Sequence, residues 1–306
     1  MKRSRQEKKT YAKAFRQALH MELREHKSSF IVFYVLRLLV ILALIRQFFL
    51  GNYEGMFLCV MTIALLYLPS WVQVKLRIEL PPPLEIIILC FIFAAEILGE
   101  INAFYVKIPM WDTVLHTLNG FLCAAVGFAL VVILNDDDRL TFDLSPFFIA
   151  LMGFCFSMTI GVLWEFFEFA MDYFLHFDMQ KDTVIQSIYS VTLDPTNSNK
   201  VVAVAGIEDV LINGESLNVG GYLDIGLIDT MKDLFVNFIG AVVFSVPGFF
   251  YAKSKGSSQT RTQKLVPTRK RADRDFLQYV RNAMTAPQDK TDDKNPNESR
   301  DNRSPS

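Results

Sequence analysis

Cysteine and histidine are scarce in this chain, and several common catalytic motifs are absent. The 306 residues include four cysteines and four histidines. All four cysteines lie inside apolar stretches and none forms a CxxC pair, so we predict that they are small packing residues. Neither a G-x-S-x-G motif nor a P-loop occurs. The cysteines therefore support no redox or zinc-finger function, and no nucleophile motif indicates a serine or cysteine hydrolase.

Long apolar stretches dominate what the sequence does contain. Hydrophobic residues make up 51% of the chain, the mean hydropathy is +0.26, and 27 residues are phenylalanine. A helix needs about 20 mostly apolar residues to cross a hydrocarbon core about 30 Å thick. Six stretches qualify: 30–49, 53–72, 84–104, 114–134, 146–170 and 229–251. The sequence therefore predicts an all-α polytopic membrane protein with about six transmembrane helices.

Basic residues are unevenly distributed between the two sides of the predicted membrane domain. Lys and Arg are dense before residue 30 and after residue 251. The connections on that side carry Lys75, Arg77 and Arg139, whereas the opposite side carries little besides Lys107, Lys181 and Lys200. By the positive-inside rule both termini are cytoplasmic, which fits an even number of spans. The first span has no small-residue cleavage site after it, so we expect it to be retained as an anchor.

The chain divides into three regions. Residues 1–29 form a basic cytoplasmic segment with an amphipathic helix, which either lies on anionic lipid or simply extends the first span. Residues 30–251 form the six-span membrane domain, and its outer loop, 173–228, contains β-branched runs and turn signals typical of short strands. Residues 252–306 are predicted to be a disordered cytoplasmic tail, in which only the stretch 275–284 folds transiently.

Four predicted helices carry ionisable residues at the same depth, near the outer surface. The third span runs outward, which places Glu96 about 18 Å above its inner end. The fourth descends through Asp112 and His116, which are one turn apart, and the fifth and sixth bring further acids to that level. The predicted metal ligands are Glu96, Asp112, His116, Glu165, Glu168, Asp172, Asp229, Asp233 and Asn237. A charged group inside the bilayer is costly, which favours a functional role.

Carboxylates gathered this closely would repel one another unless a cation were present. Oxygen donors with a single imidazole favour a divalent metal ion, with Mg²⁺, Mn²⁺ or Ca²⁺ preferred over Zn²⁺ or Fe²⁺. The absence of an E-x-x-H motif argues against a di-iron bundle. Simpler explanations remain for Asp112 and Asp172 as interfacial acids, and for Asp229 as a helix-start acid that the helix dipole favours.

Three segments together resemble a known bacterial family. These are "WDTVLHTLNG" (111–120), "WEFFEFAMD" (164–172) and "DTMKDLFVNFIGA" (229–241). In combination they resemble the YjdF-like inner-membrane proteins over roughly residues 30 to 250. The resemblance implies a multi-pass protein of the bacterial cell (inner) membrane with these acidic and histidine positions as its signature. Because that family carries no assigned activity, it transfers no substrate.

Two classes of function remain open. In the first, the protein is a metal-dependent hydrolase or transferase acting on a lipid-linked or envelope substrate, with His116, Glu165 and Asp233 as catalytic residues. In the second, the carboxylates form the ion site of a divalent-cation or proton-coupled transporter. A non-catalytic structural or sensory role is a further alternative. The expected partners are membrane lipids, and the acidic outer loop argues against nucleic acid.

Overall fold

The computed structural model describes residues 5–135, 144–254 and 266–285. Its helices are α1 (Arg5–Glu25), α2 (Lys27–Phe49), α3 (Tyr53–Leu65), α4 (Leu68–Leu76), α5 (Pro82–Phe93), α6 (Phe104–Lys107), α7 (Trp111–Asn135), α8 (Pro146–Leu175), α9 (Leu227–Lys253) and α10 (Phe276–Thr285). The strands are β1 (Ile78–Glu79), β2 (Val184–Ile185), β3 (Ser187–Ser190), β4 (Val202–Ala205), β5 (Leu211–Ile212), β6 (Glu215–Ser216), β7 (Tyr222–Leu223) and β8 (Thr268–Arg269). Arg139 lies outside the described residues.

The prediction of an all-α polytopic membrane protein is confirmed. Five helical stretches in the described residues are long and apolar enough to cross a membrane: Lys27–Phe49, Tyr53–Leu76, Trp111–Asn135, Pro146–Leu175 and Leu227–Lys253. The third predicted span, 84–104, corresponds to α5 continued by a π-helical segment, Ala94–Ile101. The two segments follow each other without a break, because Phe93 and Ala94 both have right-handed helical backbone angles, and their 12 and 8 residues together reach the length of one span.

Local sequence signals explain several helix boundaries. Pro82 and Pro83 occupy the first turn of α5, where a missing backbone N–H costs nothing. The Asn52 side chain accepts a hydrogen bond from Gly55 N at the start of α3, and Ser145 accepts one from Phe148 N at the start of α8. His26 has an extended backbone conformation, so α1 and α2 are separate helices. The first amphipathic helix is therefore not a simple extension of the first span.

Helices α7, α8 and α9 pack directly against one another and form the bundle that carries the site. Glycines on each helix allow this close approach. A Cβ atom added to Gly120 of α7 would lie 2.2 Å from the Asn237 backbone oxygen of α9. A Cβ atom added to Gly240 of α9 would lie 1.9 Å from the Thr117 backbone oxygen of α7. Such contacts are typical of membrane helices packed through small residues.

The loop between α8 and α9 contains short antiparallel pairs, as its turn signals predict. Strand β2 pairs with β7, β3 with β4, and β5 with β6. The β2–β7 pair joins the two ends of the loop, with Val184 opposite Leu223. As a result the two ends of the loop lie side by side, where α8 ends and α9 begins.

The prediction of a disordered tail from residue 252 onward is wrong for its described part. Helix α9 continues to Lys253, and residues 266–285 form β8, a 3₁₀ turn (Ala272–Arg274) and α10. Strand β8 pairs with β1, and α10 packs Leu277 and Val280 against Ala14 and Ala18 of α1. These contacts lie about 190 to 265 positions apart in sequence, so local composition could not reveal them. Residues 255–265 and 286–306 lie outside the described residues.

Candidate functional site

One histidine and three carboxylates meet where α7, α8 and α9 face one another. Asp112 and His116 are one turn apart on α7, and His116 Nε2 lies 3.4 Å from Asp112 Oδ1. The same nitrogen lies 3.8 Å from Asp233 Oδ2 of α9. On its other side, His116 Nδ1 lies 3.9 Å from Glu165 Oε1 of α8. The site is therefore assembled from three helices around a single imidazole ring.

Two of these carboxylates are almost completely shielded from solvent. Asp233 is 2% exposed and Glu165 is 4% exposed. In the part of the chain that the structure describes, Asp233 Oδ1 and Glu165 Oε2 are buried and accept no hydrogen bond. A buried carboxylate oxygen without a partner is costly, and a proton or a cation removes most of that cost. Protonation of these carboxylates or a nearby cation would therefore stabilise the arrangement.

Asp112, His116 and Asp233 have the spacing of a metal-binding group. Each offers one ligand atom, and these three atoms lie within 4.8 Å of one another. Two carboxylate oxygens and one imidazole nitrogen form a mixed donor set that divalent ions accept. Glu165 lies beside this group, where it contacts the far side of the imidazole.

A cavity of 290 Å³ opens next to Asp112, His116 and Asp233. Its walls include Asp112, His116, Asp229 and Asp233, together with Glu168. The Trp164 Nε1 group donates a hydrogen bond of 2.8 Å to Glu168 Oε1, which fixes that carboxylate at the wall. Asp229 Oδ2 accepts a hydrogen bond of 2.9 Å from Lys181 N, in the segment that follows α8. A substrate-sized group could therefore approach His116 from this side.

Four predicted ligands lie apart from the cavity walls: Glu165, which contacts the far side of the imidazole, and Glu96, Asp172 and Asn237. Glu96 is in the π-helical segment, and the Asp172 carboxylate accepts hydrogen bonds from Met179 N (2.6 Å) and Gln180 N (2.8 Å). Asn237 lies one turn below Asp233, where its Nδ2 group donates to Ser157 O at 3.4 Å. The geometry thus gives Asp172 a role in shaping the turn after α8 and gives Asn237 a role in helix packing.

Several wall residues were not predicted from the sequence. Glu100, Tyr105, Lys107, Lys181 and Lys232 all contribute to the cavity. Lys107 and Lys181 served in the sequence prediction only as topology signals, and Lys232, which lies between Asp229 and Asp233 on the same helix, had no part in it. Its Nζ atom lies 3.7 Å from Asp229 Oδ1 and 3.9 Å from Asp112 Oδ2.

A second acidic group lies at the opposite end of the molecule, but cations already occupy it. Glu25, His26 and Glu79 could by spacing hold an ion. However, Arg274 forms ion pairs with both Glu25 and Glu79. Lys270 also lies 3.9 Å from Glu25. This group is therefore part of the contact between the chain ends.

Comparison with known proteins places this architecture in a family. A family model described as "Predicted membrane protein (DUF2238)" matches residues 30–254. The chain belongs to the DUF2238 family. The resemblance to the YjdF-like proteins is thereby confirmed, since that group is the DUF2238 family. The match includes every residue of the cavity and excludes α1, β8 and α10.

A curated relative of this DUF2238 protein comes from Thermotoga maritima. That protein is described as uncharacterized, and the two are 30% identical over 117 residues, which is 37% of this chain. The matched region spans 58% of the relative's length. No solved structure matches the chain.

Proposed function

We propose that Asp112, His116 and Asp233 bind one divalent metal ion, and that the protein is a metal-dependent hydrolase or transferase acting on a lipid-linked or envelope substrate. The observation that carries this proposal is the meeting of three ligand atoms within 4.8 Å beside an open cavity. The unpartnered Asp233 Oδ1 supports it, because a bound cation satisfies that oxygen. Mg²⁺, Mn²⁺ and Ca²⁺ remain the preferred ions for this oxygen-rich set.

The surrounding residues supply the other elements of such chemistry. A bound divalent ion lowers the pKa of a coordinated water and polarises a phosphoryl or carbonyl oxygen. Glu165 contacts His116 Nδ1 from the side opposite the metal-binding group and is positioned to hold that ring or to accept its proton. The loop segment after α8 is held against the start of α9, since Gln180 Nε2 donates a hydrogen bond of 2.5 Å to Thr230 Oγ1.

Transport of a divalent cation or of protons is the second candidate. The observation in its favour is Asn237, whose Oδ1 atom is buried one turn below Asp233 and accepts no hydrogen bond from any described residue. Against it, the close glycine contacts of α7, α8 and α9 at this level leave no room for a side chain between the helices. That packing favours a site open to one face only.

The cell membrane and the orientation of the chain also remain proposals. We infer that the protein resides in a bacterial inner membrane with both termini in the cytoplasm. The uneven distribution of Lys and Arg supports this orientation. The packing of α10 on α1 supports a common side for the two ends. Reporter fusions after residues 306 and 200 should report opposite compartments, and the same compartment for both would contradict the proposal.

Metal binding by the purified full-length protein tests the central proposal. We expect about one Mn²⁺ per chain in detergent or nanodiscs, measured by electron paramagnetic resonance titration. Asp233→Asn should weaken binding by about 100-fold, because it removes a charged ligand, and Glu165→Gln should weaken it less. Asp209→Asn, an exposed loop carboxylate, is the matched control and should leave the affinity unchanged.

Activity then separates the two candidates. Phosphate release or group transfer from a lipid-linked substrate, lost in Asp233→Asn, would support the enzyme. Uptake of Mn²⁺ into proteoliposomes, lost in the same variant and without turnover, would support transport instead. Wild-type protein that binds no Mn²⁺, Mg²⁺ or Ca²⁺ at millimolar concentration would overturn the metal proposal.

A further inference from the structure

We propose that the cavity binds a phosphate-bearing anion, specifically the headgroup of an anionic amphiphile, through Lys107, Lys181 and Lys232. This inference deepens the proposed function and rests on the same cavity, because it assigns the class of molecule that approaches the metal-binding group. Its basis is the distribution of charge and apolar surface around the cavity, which the acidic cluster alone does not explain.

The three lysines reach the cavity from separate parts of the chain. Lys107 ends α6, Lys181 follows α8, and Lys232 lies in the first turns of α9. The side chains of Lys181 and Lys232 are 49% and 46% exposed, so their ammonium groups are free to reorient. The Asp229 carboxylate accepts a hydrogen bond from the Lys181 backbone N–H and lies 3.7 Å from Lys232 Nζ. The side chains of Asp112, Asp229 and Asp233 are only 25%, 12% and 2% exposed, so the lysines form a more exposed basic rim and the carboxylates a more buried acidic floor.

Each ammonium group has only weak or exposed partners in the described structure. Lys107 Nζ donates to the Asn102 carbonyl oxygen at 3.0 Å, and Lys181 Nζ donates to the carbonyl oxygen of the exposed Asp178. Lys232 lies 3.7 to 3.9 Å from two carboxylates, beyond good hydrogen-bond distance. Such contacts contribute little to stability, so they can be exchanged for a bound anion at small cost.

The arrangement of exposed ammonium groups over more buried carboxylates suits a phosphate group. A phosphate can place one oxygen on a cation at the floor while its other oxygens accept hydrogen bonds from ammonium groups. A simple divalent cation would gain nothing from three lysines at the entrance and would be repelled by them. The rim is therefore expected to select anions, while the floor holds the metal ion.

An apolar edge beside the rim favours an anion that carries a hydrocarbon tail. Val106 and Met110 line the same cavity and are 79% and 69% exposed, and Ile108 lies between them. Trp111 and Trp164 also line it, at the level where aromatic residues mark the membrane interface. A lipid could thus place its headgroup under the lysines while its chains remain along this edge in the bilayer.

Binding measurements on the full-length protein in detergent test the proposal. The probes are dihexanoyl phosphatidate, dihexanoyl phosphatidylcholine and inorganic phosphate, each titrated with and without Mn²⁺ and followed by tryptophan fluorescence. We expect phosphatidate to bind at least about tenfold more tightly than either of the others. The double variant Lys107→Gln/Lys181→Gln should lose about tenfold of phosphatidate affinity, whereas its Mn²⁺ affinity should stay the same or rise.

The matched control is Lys75→Gln/Lys200→Gln, which removes the same charge from exposed positions away from the cavity and should bind phosphatidate like the wild type. Equal binding of phosphatidate and phosphatidylcholine would overturn the proposal, as would a Lys107/Lys181 variant with undiminished phosphatidate affinity. Equal affinity for inorganic phosphate would assign the rim to a free phosphate and overturn the lipid part. If the wild type binds phosphatidate selectively but binds no Mn²⁺, the proposal that the lysines bind a phosphate headgroup is supported and the metal proposal is overturned.

Discussion

His116 lies within 3.9 Å of acidic side chains from α7, α8 and α9, so its ring links the three helices of the bundle. Its Nε2 atom faces Asp112 and Asp233, and its Nδ1 atom faces Glu165. Either a proton on the ring or a metal ion at Nε2 would balance the carboxylates, and the two compete for the same nitrogen. Metal affinity at this site should therefore fall as the medium becomes more acidic.

The Lys232 ammonium group competes with a divalent ion for the carboxylates at the floor of the cavity. Its ammonium group lies 3.9 Å from Asp112 and 3.7 Å from Asp229. Replacing it in Lys232→Met removes this repulsion, and we expect Mn²⁺ to bind about three- to tenfold more tightly, an effect reduced by solvent screening. Isothermal titration in nanodiscs measures the change, and Lys200→Met serves as the control. Weaker Mn²⁺ binding by Lys232→Met would contradict this view of the site.

Asp194 organises a turn in the loop between α8 and α9. The Thr196 hydroxyl and backbone N–H groups of residues 196, 198 and 200 donate hydrogen bonds to its carboxylate, which holds the pKa of Asp194 well below its usual range. The folded-state pKa thus lies below the unfolded value of about 3.9. The carboxylate therefore stabilises the turn above that pH and ceases to do so as the pH falls through the folded-state pKa.

We expect the amide protons of Thr196 and Ser198 to lose protection at pH 2 relative to pH 5, after correction for intrinsic exchange. Hydrogen exchange followed by mass spectrometry measures this. The Phe148 amide is the control, because its acceptor is the Ser145 hydroxyl, which does not titrate in this range. Protection at Thr196 that stays constant between these pH values would show that the carboxylate does not hold the turn.

Sequence reasoning located the residues of the site better than their roles. The i, i+4 spacing of Asp112 and His116 and the depth of Glu165 and Asp233 follow from helix geometry alone, and the structure brings these four together. Asp172 lies on the same face of α8, yet it accepts backbone hydrogen bonds from the turn that follows. That turn reverses the chain at His176, whose positive φ angle no residue pattern predicts.

At the scale of helices, the contact between α7 and α9 depends on the absence of side chains. Gly240→Ala would place a Cβ atom 1.9 Å from the Thr117 backbone oxygen, so the two helices would have to separate. We expect a loss of about 1–3 kcal/mol in the free energy of unfolding, the usual cost of overpacking. Because Asp233 and His116 lie on these two helices, Mn²⁺ affinity should fall as well.

Gly248→Ala on the same helix is the matched control for this prediction. Its added Cβ atom would lie 3.3 Å from the Phe128 side chain, which can move slightly. Unfolding in detergent, followed by fluorescence, should show a lower midpoint for Gly240→Ala than for Gly248→Ala. Equal midpoints would mean that the backbone contact adapts more readily than this packing implies.

The helices themselves were largely predictable, because apolar length and turn residues are local properties. The start of α5 follows from three consecutive prolines, and the start of α8 follows from Ser145 and Pro146. The π-helical segment after α5 was not predictable, since the spacing of its residues suits an ordinary helix equally well. Likewise, the ordered part of the tail depends on distant partners in α1 and β1.

At the scale of the whole molecule, a buried ion pair joins the two ends of the chain. Lys270 donates to Glu22, and both side chains are 2% exposed. Burial raises the pKa of Glu22 to about 7, and Lys270 opposes that rise. The folded-state pKa lies above the unfolded value of about 4.3, so protonation of Glu22 favours the folded protein below pH 7 and burial of the ionised form costs stability above it.

Removal of the lysine should therefore be most damaging at high pH. Lys270→Met leaves Glu22 buried without its cation, and we expect a loss of about 3–5 kcal/mol at pH 8.5. At pH 5.5 the loss should be smaller, because a protonated Glu22 needs no partner. Thermal unfolding at both pH values measures the difference. The double variant Glu22→Gln/Lys270→Met should recover stability at pH 8.5, and an equally large loss at both pH values would refute this account.

The packing of α10 on α1 and the pairing of β8 with β1 have a consequence for biosynthesis. A ribosome releases residue 14 long before residue 280, so the first helix emerges without the surface that later covers it. Val74 of α4 belongs to the same cluster and is synthesised early, but the contacts with Leu277 and Val280 can form only when the chain is nearly complete. The contact between the two ends of the chain is therefore completed only after synthesis of α10.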